Sequence, residues 1–135
     1  SQELVTLTVD HLLKFKAAKN FYENSQPITS LDFDDTGEFC VTASADDSIN
    51  LYNCLQGSPI KTNSYLKLDN RVVSLEMSPS NDLFLSGSIN EGVKLWDLRQ
   101  PNEIGYLHIQ AGRPCVAFDP SGRVFAIGLQ NLDNS

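Results

Sequence analysis

Residues 28–53 read ITSLDFDDTGEFCVTASADDSINLYN, and residues 72–97 read VVSLEMSPSNDLFLSGSINEGVKLWD. The two stretches align without a gap at an offset of 44 residues. Ser30 falls on Ser74, Leu31 on Leu75, Ser44 on Ser88 and Leu51 on Leu95; most other pairs are conservative, as with Phe33/Met77, Val41/Leu85 and Tyr52/Trp96. Within each copy the hydrophobic pattern has a period of two: Leu31 and Phe33 alternate with Ser30 and Asp32, as a half-buried strand requires. Asp34-Asp35-Thr36-Gly37 and Ser78-Pro79-Ser80-Asn81 then break the pattern as turns. Ala45-Asp46-Asp47-Ser48 and Ile89-Asn90-Glu91-Gly92 supply a second turn before Ile49–Leu51 and Val93–Leu95 begin a third strand.

A third copy runs from Val116 to Gly128, with Asp119-Pro120-Ser121-Gly122 as its turn. Gly37, Asn81 and Gly122 share one turn position, where a tight hairpin often needs a positive φ. A period of about 40–45 residues is that of a four-stranded propeller blade. The strand faces point the same way. Cys40, Phe84 and Trp96 lie opposite the regular apolar face, so both faces are apolar in places, which suits sheets packed side by side around an axis. The expected fold is therefore an all-β propeller. A full propeller has about seven blades, so this chain represents about three. Residues 28–69 and 72–112 are read as blades, 113–135 as a truncated blade, and 12–27 as an outer strand of a preceding or closing blade, with a helix over 10–21 as the alternative. Asn63–Leu68 and Ile104–Ile109 are the candidate fourth strands.

Composition agrees with a globular chain. Its 135 residues are 41% hydrophobic and 20% charged, too apolar for a disordered tail. Ten Lys and Arg against 17 Asp and Glu leave a net charge of −7, which argues against coating nucleic acid. No apolar run reaches the roughly 18 residues that span a bilayer, and the first residues lack a signal-peptide pattern. Cys40, Cys54 and Cys115 form an odd, scattered set, read as free thiols in a reducing compartment, with Cys40 and Cys115 buried and Cys54 partly exposed.

Val93-Lys94-Leu95-Trp96-Asp97-Leu98 carries the Trp-Asp dipeptide of the WD40 repeats, with Ser86-Gly87-Ser88 before it; Tyr52-Asn53 is a degenerate second copy. The Gly-His dipeptide of that family is replaced by Asp69-Asn70 and Ala111-Gly112. A closer resemblance rests on Leu12-Leu13-Lys14-Phe15-Lys16, Asn24-Ser25, Leu31-Asp32-Phe33, Asp46-Asp47-Ser48-Ile49, Leu95-Trp96-Asp97-Leu98-Arg99, Gly112-Arg113-Pro114 and Phe118-Asp119-Pro120-Ser121-Gly122. These stretches resemble the small WD-repeat subunits of COMPASS, the SET-domain complex that methylates lysine four of a histone tail. The resemblance implies a nuclear, non-catalytic scaffold in a hetero-oligomer. Its implied partners are the N-terminal region of the methyltransferase catalytic subunit, subunits of polyadenylation or phosphatase complexes, and the phosphorylated tail of RNA polymerase II. It also implies roles in transcription termination and RNA 3'-end processing, with no direct contact to nucleic acid or membrane. The resembled family carries a further blade between the stretches matching Cys54–Gly57 and Arg71–Val73, so this chain is expected to be partial, with an internal segment absent.

Among individual residues, Asp46, Asn90, Tyr52, Trp96, Asp97, Gly37 and Gly122 are read as structural repeat positions. The acidic pairs Asp34-Asp35 and Asp46-Asp47 are read as turn chemistry rather than a cation site, because the EF-hand spacing is absent. His11 and His108 stand nearly a hundred residues apart, outside any nucleophile–base pattern, so no catalytic, metal or cofactor residue is assigned. Lys14, Lys16 and Lys19 form a basic cluster suited to a phosphorylated peptide, or else a solvated strand edge. Arg71, Arg99 and Arg113 fall at blade junctions, as partner contacts or as pairs for acidic turns. The rival readings are a substrate receptor of a ubiquitin ligase on the same fold and, with far less in its favour, a propeller hydrolase.

Overall fold

The computed structural model describes residues 6–60, 71–110 and 112–131. Among the described residues the regular structure is almost all strand. A first sheet runs β1 (Ile28–Phe33), β2 (Phe39–Ser44), β3 (Ile49–Asn53) and β4 (Ser58–Pro59). A second runs β5 (Val72–Met77), β6 (Leu83–Ser88), β7 (Gly92–Asp97) and β8 (Gly105–His108). The third holds β9 (Arg113–Phe118) and β10 (Phe125–Gln130). Every pairing is antiparallel between chain neighbours. The β1–β2 and β5–β6 ladders carry a register irregularity at the same repeat position, between Ile28 and Ser30 and between Val72 and Ser74. The 44-residue period is thus kept down to a local defect.

The backbone bonds that close each unit also repeat. Asp34, Ser78 and Asp119 each donate across the first turn, to Phe39, Leu83 and Val124. Cys54 and Leu98 donate to Glu38 and Asp82, and Ile60 and Ile104 donate to Leu51 and Leu95. The second sheet lies between the other two. Its β5 packs against β1 and β2 on one side and against β9 on the other. Val41, Ala43, Ile49 and Leu51 of the first sheet meet Val72, Leu75, Met77, Phe84 and Trp96 of the second in one buried cluster. The two faces of a strand are both buried in the middle sheet, as its mixed apolar pattern required.

Several expectations change. Residues 12–27 do not form an outer strand. Val9–Leu13 is a short helix, α1, and 14–27 holds no strand. Thr8 and His11 close a reciprocal capping box that starts the turn, and none of the five helical residues is buried, so nothing extends the helix toward 21. The fourth strand of the first sheet begins at Ser58, earlier than read; the reading over 63–68 lies outside the described residues. Gly37 and Gly122 have positive φ (72° and 68°), but Asn81 does not. Its side-chain oxygen accepts from the Leu83 N–H instead and settles the turn without the left-handed conformation. Asp46 and Asn90 share a repeat position but not a conformation: φ is positive at Asp47 (64°) in one turn and at Asn90 (57°) in the other. Cys115 is exposed rather than buried, because the third sheet has no described neighbour on its far side.

Candidate interaction surface

Trp96 shows what holds a blade at its outer half. Its ring stacks on Phe84, with centroids 5.9 Å apart, and its indole N–H donates to Ser86 Oγ at 2.8 Å. A buried indole needs that partner. Next to it, Arg99 grips Asp97 with two bonds, Nε to Oδ1 at 2.8 Å and the guanidinium NH2 to Oδ2 at 2.6 Å. The Arg99 bonds hold the Asp97 carboxyl down at about 2. Arg99 is therefore paired to an acidic turn.

In the first sheet the equivalent network is built from other groups. Asn24 donates from Nδ2 to Ser48 Oγ at 2.9 Å and accepts from the Tyr52 hydroxyl at 3.4 Å, while the Ser25 N–H donates to Asp46 Oδ2 at 3.0 Å. Asp46 Oδ1 takes the Ser48 N–H at 3.1 Å. Burial pushes the Asp46 carboxyl upward, but the bonds from Ser48, Ser25 and Ser44 outweigh it and hold it at about 2. Both Asp46 oxygens are thus occupied by protein donors, and the residue pins the incoming chain to the sheet. Asp119 does the same for the third unit's turn: its Oδ1 accepts from the N–H groups of Arg123 and Val124, both at 2.9 Å. Bonds from the Ser121 hydroxyl and the Val124 N–H hold its carboxyl at about 2.

Neighbouring sheets are joined by side chains that the sequence reading passed over. Asp32 Oδ2 accepts the Met77 N–H at 2.8 Å, and Glu76 Oε2 accepts the Phe118 N–H at 3.1 Å. Asp32 and Glu76 are one repeat apart. Thr29 and Ser74 donate to the carbonyls of Val72 and Pro114, at 2.8 and 2.9 Å. The signal for these was present, since an acidic residue recurs in the middle of a strand where an apolar or neutral one is ordinary.

The other face of the first sheet is open. Leu31 and Phe33 are 55% and 50% exposed, whereas their equivalents Leu75 and Met77, covered by the first sheet, are 7% and 4% exposed. Over this face the segment 19–24 borders an open cavity of about 480 Å³, lined by Lys19, Phe21, Tyr22 and Asn24 from that segment and by Phe33, Cys40, Tyr52 and Cys54 from the sheet and the turn after it. Phe21 packs on the Tyr52 ring with centroids 4.6 Å apart. Lys14, Lys16 and Lys19 are all exposed, and of the three Lys19 lines the cavity. Arg71 and Arg113 are exposed at the entries to β5 and β9, and Arg113 borders a separate hollow with Pro114, Gly128 and Leu129. The six basic residues therefore mark several places around the sheets rather than one patch. Among the described residues no three His, Cys, Asp or Glu side chains converge as metal ligands would.

Two four-stranded units offset by 44 residues, one ending in Trp96-Asp97 and the other in Tyr52-Asn53, clasped sheet to sheet, define a propeller-type repeat protein. The chain belongs to the WD40 family: the model for the WD domain, G-beta repeat, matches residues 15–53 and 58–97. It is 33% identical to WD repeat-containing protein 82 of Drosophila melanogaster over 87% of this chain and 50% of that protein. It is 34% identical to COMPASS component SWD2 of Saccharomyces cerevisiae, over 92% of this chain and 51% of the relative. Set1 complex component swd2 of Schizosaccharomyces pombe is 32% identical over 90% and 46%. The chain spans about half the length of these relatives. The Drosophila alignment runs over 159 positions yet takes in 87% of a 135-residue chain, so about forty residues of the relative have no counterpart within it, close to one repeat.

Proposed function

We propose that the chain is a non-catalytic scaffold part of a COMPASS-type histone lysine methyltransferase complex, acting in the nucleus. The observation that carries this reading is the match, at about one-third identity over roughly nine-tenths of the chain, to two proteins named as COMPASS and Set1 complex components. A stack of rigid sheets supports the role physically. It holds its loops and outer strands in fixed relation while presenting apolar surface and arginines, the groups that dominate protein interfaces. The finer reading is tethering: the scaffold contacts the N-terminal region of the methyltransferase and the phosphorylated tail of RNA polymerase II, raising the enzyme's effective concentration at transcribed chromatin. Contacts to polyadenylation or phosphatase subunits extend the same role to termination and RNA 3'-end processing.

Lys14, Lys16 and Lys19 are the residues proposed for the phosphorylated tail, with Arg71 and Arg113 as further contacts. Affinity purification of the native subunit with mass spectrometry tests the assignment. Recovery of methyltransferase subunits supports it, and recovery of cullin adaptors in their place would replace it with a ubiquitin-ligase receptor. Lys14→Glu with Lys16→Glu is expected to weaken binding of a phosphorylated polymerase-tail peptide without unfolding the chain. Unchanged affinity in the titration removes the lysines from the site.

A further inference from the structure

Cys40 lies on β2 directly opposite Tyr52, so Cys54, two residues beyond Tyr52, sits diagonally across from it on the same face. Both cysteines line the 480 Å³ cavity over the open face of the first sheet. Both are free thiols, and they lie close enough to shift one another's protonation, Cys54 raising Cys40 and Cys40 lowering Cys54. A diagonal cross-strand pair has its Cα atoms about 7–8 Å apart, beyond the roughly 4.4–6.8 Å of a disulfide. Direct S–S bonding would therefore ask the β2–β3 ladder to move, whereas one large soft atom placed between the sulfurs reaches both. Four aromatic residues, Phe21, Tyr22, Phe33 and Tyr52, share the cavity wall with the thiols, beside the aliphatic Ile28 and Leu31.

We propose that Cys40 and Cys54 form a dithiol site for a thiophilic ligand that carries an aromatic group, of the class of the trivalent arylarsenicals. In the binding step two As–S bonds form and the arsenic–oxygen bond of an arylarsine oxide breaks. The two thiols give up their protons to that oxygen, which leaves as water. Arsenic stays trivalent, so no oxidant or reductant is needed. The aryl ring packs within the same cavity, against its aromatic and aliphatic wall. Burial, and then the Cys54 thiol, push Cys40 up to about 12. The site therefore stays protonated at neutral pH, and capture speeds up as pH rises through the alkaline range.

The probe is phenylarsine oxide, added at one equivalent to the whole chain and read by intact mass. One arsenical per chain, bound with loss of one water, is expected to survive a wash with excess monothiol and to leave with ethanedithiol. Cys54→Ser and Cys40→Ser are each expected to lose the wash-resistant adduct, and Cys115→Ser to keep it. Cys54, being half-buried, is the variant that leaves folding intact, checked by its far-ultraviolet circular dichroism. An adduct that survives the wash in Cys54→Ser, one that is lost in Cys115→Ser, or none on the unaltered chain overturns the proposal.

Discussion

The carboxylate of Asp32 on β1 accepts the backbone N–H of Met77 on β5 at 2.8 Å, joining two sheets through a side chain in one and the main chain of the next. Glu76 repeats the arrangement toward Phe118. An N–H at a sheet-to-sheet boundary has no strand partner on that side, so an acceptor from the neighbouring sheet is what lets it be buried. The clasp therefore sets both the spacing and the register of adjacent sheets.

Asp32→Ala is expected to destabilise the chain by about 1–3 kcal/mol, the range for a lost bond to a charged group that leaves a buried donor unpaired. Asp32→Asn keeps an acceptor oxygen and should recover much of that loss. Urea unfolding of the three proteins compares them. Equal stability for Asp32→Ala and the parent would mean that the clasp adds nothing.

Glu76 behaves differently at the second boundary. Burial pushes its carboxyl above the usual range, against the bond from Phe118 that lowers it. The folded state therefore holds this proton more tightly than the unfolded one, and the sign follows: Glu76 opposes folding at neutral pH, an opposition relieved as pH falls through its raised value. Glu76→Gln, which keeps the acceptor and drops the charge, is expected to match the parent or exceed its stability at neutral pH by up to about 1 kcal/mol, while Glu76→Ala falls below it by about 1–2 kcal/mol. Thermal unfolding at neutral pH ranks the three. A Gln variant as weak as the Ala variant would show that the charge itself stabilises.

The blades were legible because their signals are local. Strand alternation at Leu31 and Phe33, the turns after them and the Trp96-Asp97 end all lie within a few residues and recur at a fixed offset. The Arg99 pair was half legible: its partner Asp97 is two residues away, but only the structure shows the fork closed on it. Asp32 and Glu76 could not be assigned a partner, because the N–H groups that donate to them, those of Met77 and Phe118, lie one repeat downstream in a different sheet. Residues 12–27 misled for a related reason. Their apolar content resembles a strand, but a strand exists only beside a partner, and none of the described strands pairs with them. The Cys40–Cys54 pairing needed the β2–β3 register, which the sequence supplies only after the hairpin turn is placed.

Ser86→Ala removes the acceptor for the Trp96 indole N–H in a fully buried setting. The expected cost is about 1–3 kcal/mol, that of a buried donor left unsatisfied. Trp96→Phe removes the donor as well as ring area, so the double variant should cost less than the sum of the singles. A double-mutant cycle by denaturant unfolding measures the coupling. Strict additivity would show that the bond carries no energy of its own.

Gly92 begins β7 with φ of 126°, and a Cβ built there would stand 2.1 Å from the Leu107 carbonyl oxygen on β8. The contact is with backbone, which has nowhere to turn. Gly92→Ala must either strain this conformation or part β7 from β8, at an expected cost of about 2 kcal/mol or more. Hydrogen exchange should show the amides of 105–108 losing protection first. Unchanged protection there would mean that the β7–β8 edge adapts without opening.

Asp46 makes the acid sensitivity of the first sheet a specific expectation. Its folded carboxyl sits at about 2 against an ordinary value of 3.8, held down by its hydrogen bonds to Ser48, Ser25 and Ser44 against the upward push of burial. A depressed carboxyl contributes stability that is complete above the unfolded value and drains away as pH falls toward the folded one. The loss therefore falls between about pH 4 and pH 2, and after screening by solvent it amounts to about 1–2 kcal/mol. Asp46→Asn removes this titration while leaving one acceptor oxygen. Its stability at neutral pH should be lower than the parent's, and its decline over the acid window shallower by a similar amount. Asp97 and Asp119 are also held at about 2, so the parent's remaining acid slope persists in the variant. Parallel acid curves for the two proteins, measured by circular dichroism at fixed denaturant, would take Asp46 out of the account and leave the docking of Ser25 to the neutral Asn24 bonds alone.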